Sequence, residues 1–272
     1  VNSIVDVGER SRDGRGDLAT EALGQAVQRV SCVSTPPAIC ADWEFVATVT
    51  SITSWRICEM YVGRIVGVGR SQKGDLIAAY RVSSRSFPNR NVEKLGDTMR
   101  IIAQQGSADA ASDSPYIAYE CLIWNSRFAV VSNGTHTRPI YERLKAGNAP
   151  RDAIVSVLVG LDREFDQHDT PRICGLVDLA ENRLWLGSIT ATSLSVIPIE
   201  ARPGQLAYIT TYEFPLPRTE QIDQDLDAVD PNAVCSHITR ESVFSQFENP
   251  VCAASWIGSA SGHKTATFNS IH

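Results

Sequence analysis

What this chain lacks narrows its chemistry first. No stretch of its 272 residues approaches the roughly 18 consecutive apolar residues of a membrane span. The opening VNSIVDVGERSRDGRGD has neither half of a signal peptide, so a soluble, cytoplasmic protein is expected. There is no long run of lysine or arginine, and the net formal charge is -6. Both argue against a broad electrostatic grip on nucleic acid or anionic membrane and favour a small-molecule ligand. The seven cysteines form an odd set without a C-x-x-C pair or a histidine at metal-ligand spacing. Reduced thiols are expected, with neither a disulfide frame nor a metal site. GRIVGVG has the spacing of neither a P-loop nor a dinucleotide fingerprint, so no cofactor is expected.

What is there suggests a compact core. Hydrophobic residues make up 43% of the chain, enough for one large domain or two small ones. Residues 1–59 stand apart: they carry one modest helical pattern from Leu18 to Val30, then a Pro-Pro break, and little sustained periodicity. They read as a poorly ordered extension, with Met60 as the natural start of a domain over residues 60–256 and a tail over 257–272.

From Tyr61 the pattern sharpens. YVGRIVGVG and DLIAAYRVSS are apolar, β-branched runs joined by RSQKG, which predicts a hairpin. A second hairpin is predicted in YECLIWNSRFAVVSNG, turning at Asn125 and Ser126. Further strands are expected at RICGLVDL, RLWLGSIT, SLSVIPIE and QLAYITTYEF. Ile154, Val157, Leu158, Leu161 and Phe165 recur at helical spacing in PRDAIVSVLVGLDREFDQ, with Asp152 near the helix start. Weaker helices are expected at Thr137–Ala146 and between Glu220 and Phe247, the latter broken near Pro231. Successive strands with helices set apart indicate an α+β layered domain.

The densest chemical signal is RVSSRSFPNR, three arginines, three serines and an asparagine at the exit of the first hairpin. Guanidinium forks, hydroxyls and free backbone N–H groups suit a phosphomonoester, and a solvated loop of salt bridges suits the same composition equally. On the expected helix Glu164 falls at the edge of the apolar stripe, where a carboxylate serves as a general base or, more commonly, as half of a structural salt bridge. SPYIAYEC, SNGTHT and DTPRI add Tyr116, Tyr119, Glu120, Asn133, His136, Thr170 and Arg172 at strand ends and turns. Each alone is weak.

Together, YVGRIVGVG, AAYRVSSRSFPNR, SPYIAYEC, AVVSNGTHT, RDAIVSVLVGLDREFD and DTPRI resemble the archaeal-type IMP cyclohydrolase family. The likeness runs in order from Met60 to about TYEF, and more faintly to NPVCAASW. It implies ring closure of 5-formamidoimidazole-4-carboxamide ribonucleotide to IMP, and a four-layer αββα sandwich similar to N-terminal nucleophile hydrolases. The cyclisation needs no protein nucleophile, because both reacting groups belong to one molecule. On this resemblance Glu164 is the base or proton shuttle and Tyr119 the donor to the formyl oxygen, with Arg90 or Asn89 holding developing charge. Arg81, Ser83, Ser84 and Arg85 would hold the phosphate; Tyr116, Asn133, His136 and Arg172 would bind the rest of the purine ribonucleotide. Glu120 departs from the Asn expected there. Two alternatives stand beside this reading: an amide hydrolase processed before Cys58, and a non-catalytic purine-nucleotide-binding protein. Whether the chain forms a homo-oligomer is left open.

Overall fold

A computed structural model describes residues 60–85, 88–107 and 118–270. The predicted extension, Cys58 and Tyr116 lie outside the described residues. In chain order the strands are β1 (Arg64–Arg70), β2 (Leu76–Val82), β3 (Arg90–Leu95), β4 (Thr98–Ala103), β5 (Tyr119–Trp124) and β6 (Phe128–Ser132). Helices α1 (Thr137–Lys145) and α2 (Pro150–Leu161) follow, then β7 (Arg172–Asp178), β8 (Arg183–Ile189), β9 (Leu194–Ile199), β10 (Gln205–Thr210) and β11 (Ile222–Asp223). Helix α3 (Pro231–Arg240), β12 (Cys252–Ser259) and β13 (Gly262–Asn269) complete them. The fold is mixed α/β, mostly antiparallel sheet with few helices. Strand order is β11-β10-β1-β2-β12-β13 in one sheet and β3-β4-β5-β6-β7-β8-β9 in the other.

Strand β2 explains why the apolar runs are nearly continuous. All seven of its residues are buried, because both faces are covered. Tyr80 and Val82 join Val66, Met99, Leu122 and Val131 in a core cluster built from both sheets. Ile77 and Ala79 point the other way, into a cluster with Val234 and Ile238 of α3. On the second sheet, Val130 and Leu176 pack against Ile140, Ile154 and Leu158 of α1 and α2. At one end the two sheets are tied by a polar contact, the hydroxyls of Tyr80 and Tyr119 lying 2.6 Å apart.

Several expectations are corrected. Helix α2 ends at Leu161, where Asp162 takes φ +56°, so Glu164 and Phe165 lie beyond it; Phe165 is exposed rather than part of an apolar face. The segment from Glu220 to Phe247, expected as helix broken near Pro231, has helix α3 only from Pro231 to Arg240, with β11 before it and a 3-10 turn over Ser242–Gln246 after it. The boundary at residue 256 falls inside β12, and the expected tail forms β13, paired along its length with β12. The β3–β4 hairpin went unpredicted, since RNVEKL and TMRIIA have no sustained apolar alternation. Among the described residues no helix is long and apolar enough to cross a membrane.

Candidate active site

A cavity of about 360 Å³ opens at the sheet end marked by Tyr80 and Tyr119, lined by residues that include Arg64, Ser84, Tyr119, Asn133, Glu164 and Tyr212. Strand geometry brings the first of these inward. Arg64 shares a strand face with Val66 and Val68, since successive side chains alternate across a strand, and so its charge enters among core residues. Gly63 precedes it at φ +69°, where a β-carbon would meet Thr211 Oγ1 at 2.3 Å and the Tyr212 ring at 2.6 Å. Glycine therefore lets the chain pass beneath Tyr212. Tyr212 stacks on Tyr61 with centroids 5.2 Å apart, and the Arg85 guanidinium lies over Tyr61 at 4.7 Å.

Glu164 reaches the cavity from a folded-back loop, not from a helix. Asp162 and Asp169, both at positive φ, bracket this loop, and Glu164 N–H donates to Thr170 O at 2.9 Å. Asp166 fixes the bend by accepting from Thr170 N (2.9 Å), Thr170 Oγ1 (2.7 Å) and His168 N (3.1 Å). Burial opposes its charge, yet these bonds hold its carboxyl below the usual range. Glu164 itself accepts from Arg172 Nη1 at 3.2 Å. Burial pushes its carboxyl above the usual range, against the pull of Arg172, Arg64 and, more weakly, Arg90. The three guanidinium groups outnumber the carboxylates of Glu164 and Asp166, a surplus of positive charge that suits an anion.

The sequence-predicted residues divide. Ser84, Tyr119, Asn133 and Glu164 line the cavity, and Arg172 grips Glu164 from beside it. Arg85 is exposed at the rim and pairs with Glu248. Arg90 is buried behind the cavity wall, near Tyr119 and Tyr80, and does not line it. Asn89 is half-buried, accepts from Gln104 N–H through its backbone carbonyl, and is not a lining residue.

Arg81, Ser83 and His136 are corrections. Strand alternation turns Arg81 to the α3 side, where its fully buried guanidinium donates to Ile238 O, Phe244 O and Glu248 O. No solvent ligand reaches it. Ser83 is buried beside it and donates to Glu248 O at 3.1 Å. His136 is fully buried and bonded to Ile173 O, so it cannot touch a ligand. Asn133 lines the wall, but its amide serves the backbone, donating to Pro171 O and accepting from Ile173 N–H. Glu120 leaves the phosphate question untouched: it turns to α1, where Arg138 donates to both carboxylate oxygens.

Tyr61, Arg64, Asp166, His168 and Tyr212 were missed. Arg64 left a legible signal, a lone charge at an inward position of an apolar strand; the others sit in loops whose paths no periodicity encodes.

Comparison with known proteins gives this geometry its kinship. The family model for IMP cyclohydrolase-like protein matches residues 61–262. The chain belongs to the IMP cyclohydrolase-like family. A relative from Methanosphaera stadtmanae, named IMP cyclohydrolase, is 36% identical over 197 residues, covering 72% of this chain and 94% of its own. Proteins of the same name from Methanocaldococcus jannaschii and Methanocella arvoryzae are 36% and 38% identical, covering 76% and 72% of this chain and 98% and 91% of theirs. The matched range runs through β1 to β12, and every described cavity-lining residue falls within it.

Proposed function

We propose that this protein is an IMP cyclohydrolase, an enzyme that closes 5-formamidoimidazole-4-carboxamide ribonucleotide to IMP with release of water. One observation carries the reading beyond kinship: a proton-avid carboxylate, Glu164, and a phenol, Tyr119, line one cavity beside Arg64 and Arg172. Among the described residues no cysteine lines that cavity, and ring closure needs none.

The chemistry asks for proton movement and charge stabilisation. As the carboxamide nitrogen bonds to the formyl carbon it gives up one proton, and the formyl oxygen gains one; the resulting hydroxyl then leaves as water while the former formamide nitrogen loses its proton. Glu164 takes the first proton, for which a raised affinity suits it. Tyr80 is fully buried, and burial together with neighbouring Tyr119 keeps its hydroxyl protonated. Either hydroxyl can donate in the Tyr80–Tyr119 hydrogen bond; with Tyr80 as the donor, the Tyr119 proton is left for the formyl oxygen. Arg64, permanently charged and beside Tyr119, stabilises the developing oxyanion, with Arg90 adding its field from behind.

The remaining wall binds the nucleotide. The stacked rings of Tyr61 and Tyr212 offer a platform for the heterocycle. Ser84 and rim residue Arg85 receive the phosphate. The helices outside the two packed sheets fit the αββα sandwich that the family resemblance implies. The test is ring closure by purified protein given the formylated ribonucleotide without folate, followed by absorbance.

A further inference from the structure

Gly134 lies in the turn between β6 and α1 with backbone angles outside the left-handed region. Space, not conformation, calls for glycine there. A β-carbon on it would stand 3.0 Å from Glu164 Oε1, 3.4 Å from Arg172 Nη1 and 3.5 Å from His136 Nδ1. Three polar atoms from three segments converge over one bare Cα.

His136 is the unusual member of this group. Its ring is fully buried, and Nε2 lies 3.0 Å from Ile173 O. A carbonyl only accepts, so Nε2 carries the hydrogen and Nδ1 keeps its lone pair. Among the described residues no hydrogen-bond partner reaches the buried Nδ1. Burial, then the nearby Arg172 charge, pushes its pKa down to about 3. The ring is therefore neutral at ordinary pH. Of the charged groups facing Glu164, Arg172, Arg64 and Arg90 favour its carboxylate and Asp166 opposes it. From the α1 side His136 adds no charge.

We propose that Gly134 and His136 are positioning residues for Glu164: the bare Cα seats the carboxylate, and the imidazole turns a lone pair, not a cation, toward the Arg172 guanidinium that grips it. This rests on the reading of Glu164 as the proton acceptor. Crowding the seat or removing the lone pair moves the carboxylate and guanidinium apart. Burial then goes less compensated, and the carboxyl holds its proton to higher pH. A displacement on the order of 1 Å from productive geometry costs about 10²-fold in rate.

The test uses two variants of the full chain. Gly134→Ala crowds the seat. His136→Gln keeps an amide N–H near the place of Nε2 for Ile173 O but has no acceptor at Nδ1. The Glu164 carboxyl is titrated by carbon-13 NMR without nucleotide, and kinetics follow. In variants that melt cooperatively, the titration midpoint should move to higher pH. The value of kcat should fall by about 10²-fold with KM nearly unchanged. A wild-type midpoint in either folded variant overturns the proposal. The titration needs no turnover, so a parent protein that closes no ring contradicts the functional reading while the seat is still judged by its own measurement.

Discussion

Glu164 Oε1 lies 3.2 Å from Arg172 Nη1, with the two side chains only 12% and 13% exposed, and yet the carboxyl binds its proton more tightly than a free glutamate. Burial outweighs the pairing. A base must be unprotonated to work, so turnover should fall as pH drops through the Glu164 pKa, on a limb above the usual carboxylate range. Glu164→Gln keeps the shape and cannot accept a proton at neutral pH. It should bind nucleotide nearly normally, lose roughly 10²- to 10⁴-fold in kcat, and lose that limb. A pH-rate profile of both proteins checks this, and an unchanged limb would make Glu164 structural.

Arg81 and Arg85 share one loop motif and should behave oppositely. Arg81→Met removes a donor from Ile238 O, Phe244 O and Glu248 O; Phe247 N–H still serves Phe244 O and the Ser83 hydroxyl still serves Glu248 O, so the loss in a urea melt should be about 1–3 kcal/mol, the cost of one unsatisfied buried group. Preference for nucleotide over nucleoside should persist in whatever folds. A variant as stable as the parent would contradict the structural role.

Arg85→Ala should leave stability almost unchanged, because its pair with Glu248 is mostly exposed on the arginine side. Nucleotide binding should weaken by about 1.5–3 kcal/mol, the range for a charged hydrogen bond, while the nucleoside binds as before. Calorimetry with both ligands decides, and equal losses would remove Arg85 from the phosphate.

His237 gives the fold a pH signature away from the cavity. Its buried ring lies 2.5 Å from Asp223 Oδ2 through Nε2 and 3.3 Å from Glu241 Oε2 through Nδ1. Burial disfavours the cation, but Asp223 and then Glu241 raise its pKa above 6.5. Asp223 in turn is held below 3.8, burial being outweighed by His237 and Ser242. The histidine contribution is full below pH 6.5 and lost as pH rises through the folded pKa; the aspartate contribution is present above 3.8 and lost as pH falls through its own. The melting-temperature advantage over His237→Gln should therefore narrow as pH rises from 6.5 through the folded pKa. An advantage that widens with pH would refute the pairing.

The strands were legible because β1, β2 and β5 to β8 are apolar runs buried on both faces, bounded by turn residues. The site was legible only in pieces. Glu164 was singled out by a helical wheel that does not apply to it, since α2 ends at Leu161; the loop that carries it is shaped by Asp162, Asp166 and Asp169 through local hydrogen bonds and positive φ, which periodicity does not report. Arg81 misled because composition marks a residue as basic without saying which strand face it occupies. Tyr80 stands unremarked in an apolar run, and only the approach of two strands from different sheets reveals its hydroxyl against Tyr119.

The most direct measurement is an absorbance assay of ring closure on purified protein, with the formylated ribonucleotide as sole substrate and Glu164→Gln beside it. Steady formation of IMP by the parent, reduced at least about 10²-fold in the variant, is the predicted result. Tight binding of the nucleotide with no IMP formed by the parent would contradict the assignment and make this cavity a nucleotide-binding site alone.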